Sequence, residues 1–339
     1  MSAGDRAAPG TGSVLVCTAG RPAMLDRALG HLAGGRERPD QLVVVNGGDD
    51  QANDVVARHA SRFDEVVLLQ YGNRNVSASR NLGLPICTGD LVALTDDDAI
   101  VSADWIEQVR AVHRADPGAG AVGGPVYGAR GDRFISRVAD RVVFPWFSER
   151  RTVRTLPGVN VAYKRACIDA VGLFDESLFR GEDVDYNWRV MQSGYRILYD
   201  PRITVEHEHR TTALGLLQQQ WMYGRAYVLV RRKWPAMYCV YPHRLRSLRD
   251  WAKVVHVVLA VLYQPALAAR AMPDVREAAA AYPFLVAHHA IWKLGMLRQA
   301  IEPRLPAATA EEEGASGEMP VLLVRRWRAG EAVEERLAG

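Results

Sequence analysis

Three adjacent carboxylates, Asp96, Asp97 and Asp98, close the apolar run Leu91-Val92-Ala93-Leu94-Thr95. Like charges at that spacing repel unless a cation or shared protons relieve them. The cluster therefore reads as a divalent-cation site at a strand end, with a solvated acidic turn as the plain alternative. Other groups carry chemistry suited to a nucleotide. Thr18 offers a hydroxyl and Asn46 an amide that can pair with a base edge, each directly after an apolar run. Gly47 and Gly48 let the backbone come close to a ligand. Arg21 shares the turn with Thr18. Arg80, in Asn75-Val76-Ser77-Ala78-Ser79-Arg80-Asn81-Leu82-Gly83, suits a diphosphate or a base, or else a surface salt bridge.

Two more clusters lie downstream. Glu182 and Asp183 open a helix that ends near Gly194. Helix N-termini favour ionised carboxylates, so a merely decorated helix start is the plain reading there. Thr204 to His209 alternates like a strand, which puts His207 and His209 on one face. A ligand pair, or one ligand with a phosphate-binding neighbour, fits that arrangement. Mixed oxygen and imidazole donors suit manganese better than calcium, with magnesium as the alternative.

The elements that must position these groups follow from pattern. Ser13–Cys17, Gln41–Val45, Glu65–Leu69 and Leu91–Leu94 are short apolar strands. Helical segments separate them, at Pro22–Leu32, near Asn53–Ser61 and at the Asn75–Gly83 stretch. Pro22 suits a first helical turn. Strand–helix alternation at this spacing predicts an α/β fold with a doubly wound, mostly parallel sheet. Ligands bind at the carboxyl ends of such strands, where Thr18, Asn46 and Asp96–Asp98 stand. No G-x-G-x-x-G follows the first strand and no G-x-x-x-x-G-K-[ST] occurs. Phosphates are therefore not cradled by a glycine loop at a helix start, which argues against a Rossmann dehydrogenase. A metal at Asp96–Asp98 is the natural candidate to neutralise phosphates.

A chain of 339 residues accommodates one large α/β domain and an accessory region. A net charge of +3 does not advertise nucleic-acid binding. Cys17, Cys87, Cys167 and Cys239 form no C-x-x-C and read as reduced, incidental thiols of a cytoplasmic protein. Residues 1–12 are small and polar, lack a signal-peptide pattern and are expected to be disordered.

The ordered series resembles the nucleotide half of a family 2 glycosyltransferase with the GT-A fold. It runs strand-Thr-x-x-Arg-Pro, strand-Asn-Gly-Gly, Ser-Arg-Asn-x-Gly, then Gly-Asp, an apolar strand and Asp-Asp-Asp. Gly181-Glu182-Asp183-x-Asp185-x-x-x-Arg189, then Gly194-Tyr195-Arg196-Ile197 and a strand to His207, resembles that family's acceptor half. The resemblance covers roughly residues 13–230. It implies an inverting transfer with Asp183 as general base and His207 as a metal or diphosphate contact. Asp96, Asp98 and His207 would form the metal set. Thr18, Arg21, Asn46, Arg80, Asp96 and Asp97 would hold the nucleotide. Gly158, Asn160, Glu182 and Trp146 would contact the acceptor; Trp146 lies in an aromatic, Arg-rich stretch that reads equally as a flap or a basic surface loop. Where the family carries a base-contacting Asp, this chain has Val45 or Asn46, so the base stays open. Gln218 to Arg225 contains Gln and Trp without the Gln-x-x-Arg-Trp order of processive members, which implies transfer of a single sugar.

The expected organisation is a catalytic domain over 13–235, divided into a nucleotide half (13–101) and an acceptor half (102–235). A basic, apolar helical region (236–305) and a linker with tail (306–339) follow. From Arg225 to Lys253, eight Lys/Arg accompany a single acid, with aromatics interleaved. Two apolar stretches, Val254–Ala269 and Ala278–Leu297, come next. Neither qualifies cleanly as a spanning helix, and together they suit interfacial attachment to an anionic membrane on its cytoplasmic face, or a helical subdomain.

The function so implied is an inverting, metal-dependent transferase, with manganese or magnesium, a nucleotide-diphosphate sugar as donor and a hydroxyl acceptor. The rivals are a metal-dependent nucleotide-sugar hydrolase using Asp96, Asp98, His207 and His209, and a non-catalytic sugar-binding module.

Overall fold

A computed structural model describes residues 10–72, 74–129, 133–140, 142–210, 212–239, 246–270, 272, 274–301 and 321–337. The first half alternates as expected: β1 (Gly12–Thr18), α1 (Pro22–Ala33), β2 (Gln41–Asn46), α2 (Asp50–His59), β3 (Glu65–Tyr71), α3 (Val76–Gly83) and β4 (Leu91–Asp96). Then come β5 (Ala99–Val101), α4 (Trp105–Ala115), β6 (Ala119–Gly123), β7 (Val126–Gly128), α5 (Phe134–Asp140), β8 (Arg151–Val153) and β9 (Val161–Lys164). These lead to α6 (Arg165–Val171), α7 (Glu182–Gln192), β10 (Arg196–Tyr199) and β11 (Val205–His207). Three helices, α8 (Ala213–Lys233), α9 (Leu248–Arg270) and α10 (Val275–Ile301), precede a hairpin, β12 (Val321–Arg328) and β13 (Glu331–Leu337).

One ten-stranded sheet runs β13-β12-β3-β2-β1-β4-β9-β6-β10-β8, and a small sheet runs β5-β11-β7. Every position of β1 and β2 is buried, as a strand covered on both faces requires. Side chains alternate between two cores. Val14, Val16, Leu42 and Val44 join Leu25, Leu29 and Trp105 on one face. Leu15, Cys17, Val43 and Val45 join Leu84, Tyr163 and Tyr186 on the other. All four cysteines are free.

Three expectations are corrected. The sheet is mixed rather than mostly parallel. β3-β2-β1-β4 and β6-β10 pair in parallel, but β4-β9, β9-β6, β10-β8, β12-β3 and β12-β13 are antiparallel. The terminal stretch taken as a tail is structural. Its β12 pairs along the whole of β3, covering an edge that would otherwise expose unpaired backbone groups. The ordered chain also starts earlier than expected: Gly10 and Thr11 donate backbone N–H bonds to Asp90 Oδ2, while residues 1–9 lie outside the described residues.

The antiparallel insertion matters for the site. Because β9 runs against β4, with Leu94 opposite Val161, the turn before β9 lies beside the carboxyl end of β4. Pairing of β11 with β5 sets His207 opposite Ala99, next to Asp98.

Candidate active site

The three carboxylates at the end of β4 fan toward three different cations. Asp96 Oδ1 is 3.6 Å from Arg80 Nη2. Asp97 is 0% exposed, accepts a 2.7 Å bond from the Thr18 hydroxyl, and pairs with Arg21 at 2.5 Å. Asp98 pairs with Arg21 at 2.6 Å on one oxygen and faces His207 Nε2 at 3.3 Å on the other. The charge repulsion expected from the sequence is thus relieved largely by side chains. The environments separate the acids. Burial, opposed by Arg21, pushes Asp97 up to about 6. Burial likewise raises Asp96, against Arg80. For Asp98, burial is outweighed by His207 and then Arg21, which hold it well below the usual carboxylate range. His207 is raised: burial works against its charge, but Asp98 overcomes that.

Facing this strand end is the start of α7. Gly181, at φ 80°, turns the chain into the helix in a conformation that favours glycine. Glu182 Oε1 accepts a 2.9 Å bond from Arg80 Nη1. Arg80 is buried, bonded to Glu182 and Asp96, and its guanidinium lies 5.4 Å from the Phe174 ring centre. A Cβ at Gly158 would collide with that guanidinium and displace it. Gly158 N donates weakly, at 3.4 Å, to Asp183 Oδ2, and Val184 N donates to Oδ1 at 2.7 Å. Burial, then the adjacent Glu182 carboxylate, pushes Asp183 up to about 7. A carboxylate poised near neutral pH suits general-base work.

Asp183 and Glu182 line a cavity of about 320 Å³. Its walls include Phe144, Tyr223, Tyr227 and Arg231 from the expected acceptor half, and Trp292 from the helical region that the sequence reading kept apart from the catalytic domain. Tyr223, Tyr227 and Arg231 belong to α8, and Trp292 to α10. The interleaving of basic and aromatic residues after Arg225 was the available signal, and it pointed to a surface rather than to this wall. The two helices approach closely because Gly224 and Gly295 sit at their crossing. A Cβ at either glycine would strike the carbonyl of Trp292 or Trp221.

Several expected site residues are framework instead. The Thr18 hydroxyl is occupied by Asp97. Asn46 is buried, donating to Asp49 O and Asn53 Oδ1 and accepting from Gly48 N, which leaves its amide no free edge for a base. Asn160 is buried too, accepting from Trp105 Nε1 and donating to the carbonyls of Pro125 and Ile203. Trp146 is 59% exposed, bonded to the Tyr127 hydroxyl at 3.0 Å, and does not line the cavity. His209 is buried against Asp140 at 3.0 Å and serves as a prop beside His207. Arg21, Arg80, Asp96, Asp98, Gly158, Glu182, Asp183 and His207 are brought together.

For a divalent ion, the donor atoms fit in part. Asp98 Oδ1 is buried with no hydrogen-bond partner among the described residues, and faces His207 Nε2. A buried carboxylate oxygen 3.3 Å from an imidazole nitrogen, its ion-pair partner while the ring is protonated, becomes a two-ligand start once the ring is neutral, of the kind that substrate phosphates complete. No group of three or more His, Cys, Asp or Glu residues gathers as a metal cluster among the described residues. The expected third ligand, Asp96, is drawn toward Arg80 instead.

Comparison with known proteins is consistent with this geometry. A family model described as glycosyltransferase-like family 2 matches residues 9–224. The pre-mycofactocin glycosyltransferase of Mycobacterium tuberculosis is 29% identical over 199 residues, covering 54% of this chain and 41% of that protein. The glucosyl-dolichyl phosphate glucuronosyltransferase of Haloferax volcanii is 32% identical over 197 residues, covering 51% of this chain and 61% of that one. The chain thus spans about half the length of these curated relatives. Among solved structures, the mannosyltransferase PcManGT of Pyrobaculum calidifontis, in complex with GDP-Man and Mn2+, superposes with a TM-score of 0.58 at 19% identity, covering 88% of this chain and 89% of that one. TarS 1–349 of S. aureus with UDP gives 0.53 at 14% identity, covering 92% and 96%. The family match takes in both acidic clusters and the parallel half of the sheet, and the chain belongs to glycosyltransferase-like family 2, built on the GT-A fold.

Proposed function

We propose that this protein is an inverting glycosyltransferase that moves one sugar from a nucleotide-diphosphate donor to a hydroxyl acceptor. The observation that carries the reading is Asp183: a carboxylate raised to about 7, at the edge of a cavity, held against the donor-side strand end through Glu182 and Arg80. A base so placed takes the proton of the acceptor hydroxyl as the hydroxyl attacks the anomeric carbon. Arg80 keeps the two acidic clusters in register. Arg21, 43% exposed at its side chain, presents positive charge at the open end of the same strand edge, where a diphosphate would lie.

The solved relative named above binds Mn2+ together with GDP-Man. Here Asp98 and His207 would hold Mn2+ or Mg2+, which supplies Lewis-acid stabilisation of the departing diphosphate when bound. The decisive test is Asp183→Asn. Nucleotide binding by calorimetry should persist while sugar transfer falls by about 10²–10⁴-fold. Transfer at the wild-type rate would remove the assignment. A hydrolase would instead release the sugar at full rate with no acceptor present.

A second reading concerns location. Helix α9 exposes Trp251, Val255, Val258, Leu259 and Leu262 to solvent, at the spacing of one helix face. Among the described residues it is the helix long and apolar enough to cross a membrane. Exposed Arg246 and Arg249, with Lys253, sit at the same end as Trp251. Apolar anchors beside basic residues match an anionic lipid surface, so this face is proposed to rest on such a membrane.

A further inference from the structure

The cavity beside Asp183 is lined by an arginine whose situation is unlike that of Arg80, which lies outside it. Arg231 is 6% exposed. Among the described residues its Nε has no hydrogen-bond partner and no carboxylate pairs with its guanidinium. The contrast with its neighbours is sharp. Arg80 has Glu182 and Asp96, and Lys233, two residues along α8, has Asp175 and Asp185. What Arg231 does have is aromatic: its guanidinium carbon lies 3.9 Å from the Tyr227 ring centre and 5.4 Å from that of Tyr238. Ring faces attract a cation but do not satisfy its N–H donors. A buried charge with unsatisfied donors is costly unless a partner arrives. Arg231 and Asp183 line one cavity, and Arg180, also without a paired carboxylate among the described residues, lines it too.

From this we propose that the acceptor carries an oxyanion, a phosphate or a carboxylate, that pairs with Arg231 while its hydroxyl lies at Asp183. The inference rests on the transferase reading above and narrows its acceptor class. The guanidinium fork matches either oxyanion in bidentate fashion. The aromatic walls suit a sugar ring or an apolar body attached to it. The volume, about 320 Å³, lies in the range of a small-molecule site.

The test uses the full-length protein and three probes: glucose 1-phosphate, methyl glucuronide and methyl glucoside. By calorimetry or ligand-observed NMR, at least one charged probe should bind about tenfold or more tightly than the neutral one, and which of the two does so identifies the oxyanion. Arg231→Met should erase that preference, and Arg231→Lys should retain part of it. Because Arg231→Met is a core substitution, a second measurement needs no variant. Modification of Arg231 by phenylglyoxal, mapped by mass spectrometry, should be slowed by the preferred charged probe and not by methyl glucoside. Equal binding of charged and neutral probes, a preference that survives Arg231→Met, or unprotected Arg231 would each overturn the proposal. Binding of UDP and GDP with Mn2+, measured on the same protein, separates the two readings. Its loss counts against the transferase assignment and leaves the anion result standing.

Discussion

Arg80 Nη1 stands 2.9 Å from Glu182 Oε1, joining positions 102 residues apart. Arg80 belongs to the helix before the acidic strand, and Glu182 opens the helix that carries Asp183, the proposed base. With Asp96 at 3.6 Å on its other side, the guanidinium ties the acidic strand end to the start of the helix that lines the cavity. Removing one member of a buried charged set leaves the others uncompensated. Arg80→Ala is therefore expected to cost about 3–5 kcal/mol in urea unfolding. A loss below about 1 kcal/mol, of the size typical for surface pairs, would show that the link is peripheral.

The raised Asp183 sets the pH response. A base acts deprotonated, so the acid limb of kcat/KM should rise through about pH 7 rather than near the ordinary aspartate value of 3.8. Stability should move the other way. A carboxyl raised on folding favours the native state below its unfolded value, and that advantage is lost as pH climbs through the folded value. Asp183→Asn should thus melt higher than wild type at pH 8, with the gap closing as pH falls toward 4. An acid limb centred near pH 4 in the wild-type profile would contradict the assignment.

Metal affinity should also depend on pH. His207 must be neutral to bind an ion, and Asp98 holds it protonated above its usual range. Binding of Mn2+ should tighten as pH rises from 6 to 8, read by calorimetry in the presence of nucleotide diphosphate. Asp98→Ala should remove the Mn2+-dependent part of nucleotide binding, by about tenfold or more. Identical nucleotide affinity with Mn2+ and with chelator, in the wild-type protein, would rule the metal out.

The glycine crossing gives a packing test. Gly224→Ala gains about 1 kcal/mol of helix propensity. Its Cβ, however, meets the Trp292 backbone carbonyl, which has no rotamer to move. Strain should win, lowering stability by about 1–3 kcal/mol and weakening acceptor use before donor binding, because Trp292 lines the cavity. A more stable variant would mean that the helices separate freely.

For α9, vesicle flotation is the measurement. The intact protein should float with vesicles containing anionic lipid and less with neutral ones. Leu259→Glu together with Leu262→Glu should abolish flotation without lowering the melting temperature, since both side chains are exposed. Retention of the double variant on anionic vesicles would dismiss this face as the contact.

The sequence by itself determined the strand–helix alternation and the parallel pairing of the nucleotide half, because continuous apolar runs leave few places for a strand except a doubly covered sheet. It also located both acidic clusters, since carboxylates at a strand end and at a helix start are local patterns. Only the tertiary structure decided what each charged group does. Asp97 and Thr18 bond to each other across 79 residues, Asn160 is consumed by three partners from distant segments, and Arg80 finds its acids on two different elements. The reversed β9 and the edge strand β12 were equally unreadable. Strand direction and pairing are set by which edges meet after collapse, and a short apolar strand reads the same in either direction. Arg231 is the clearest case. In sequence it is one of several cations in a basic stretch, and burial without a counter-ion among the described residues became visible only once α8 had folded against α7 and α10.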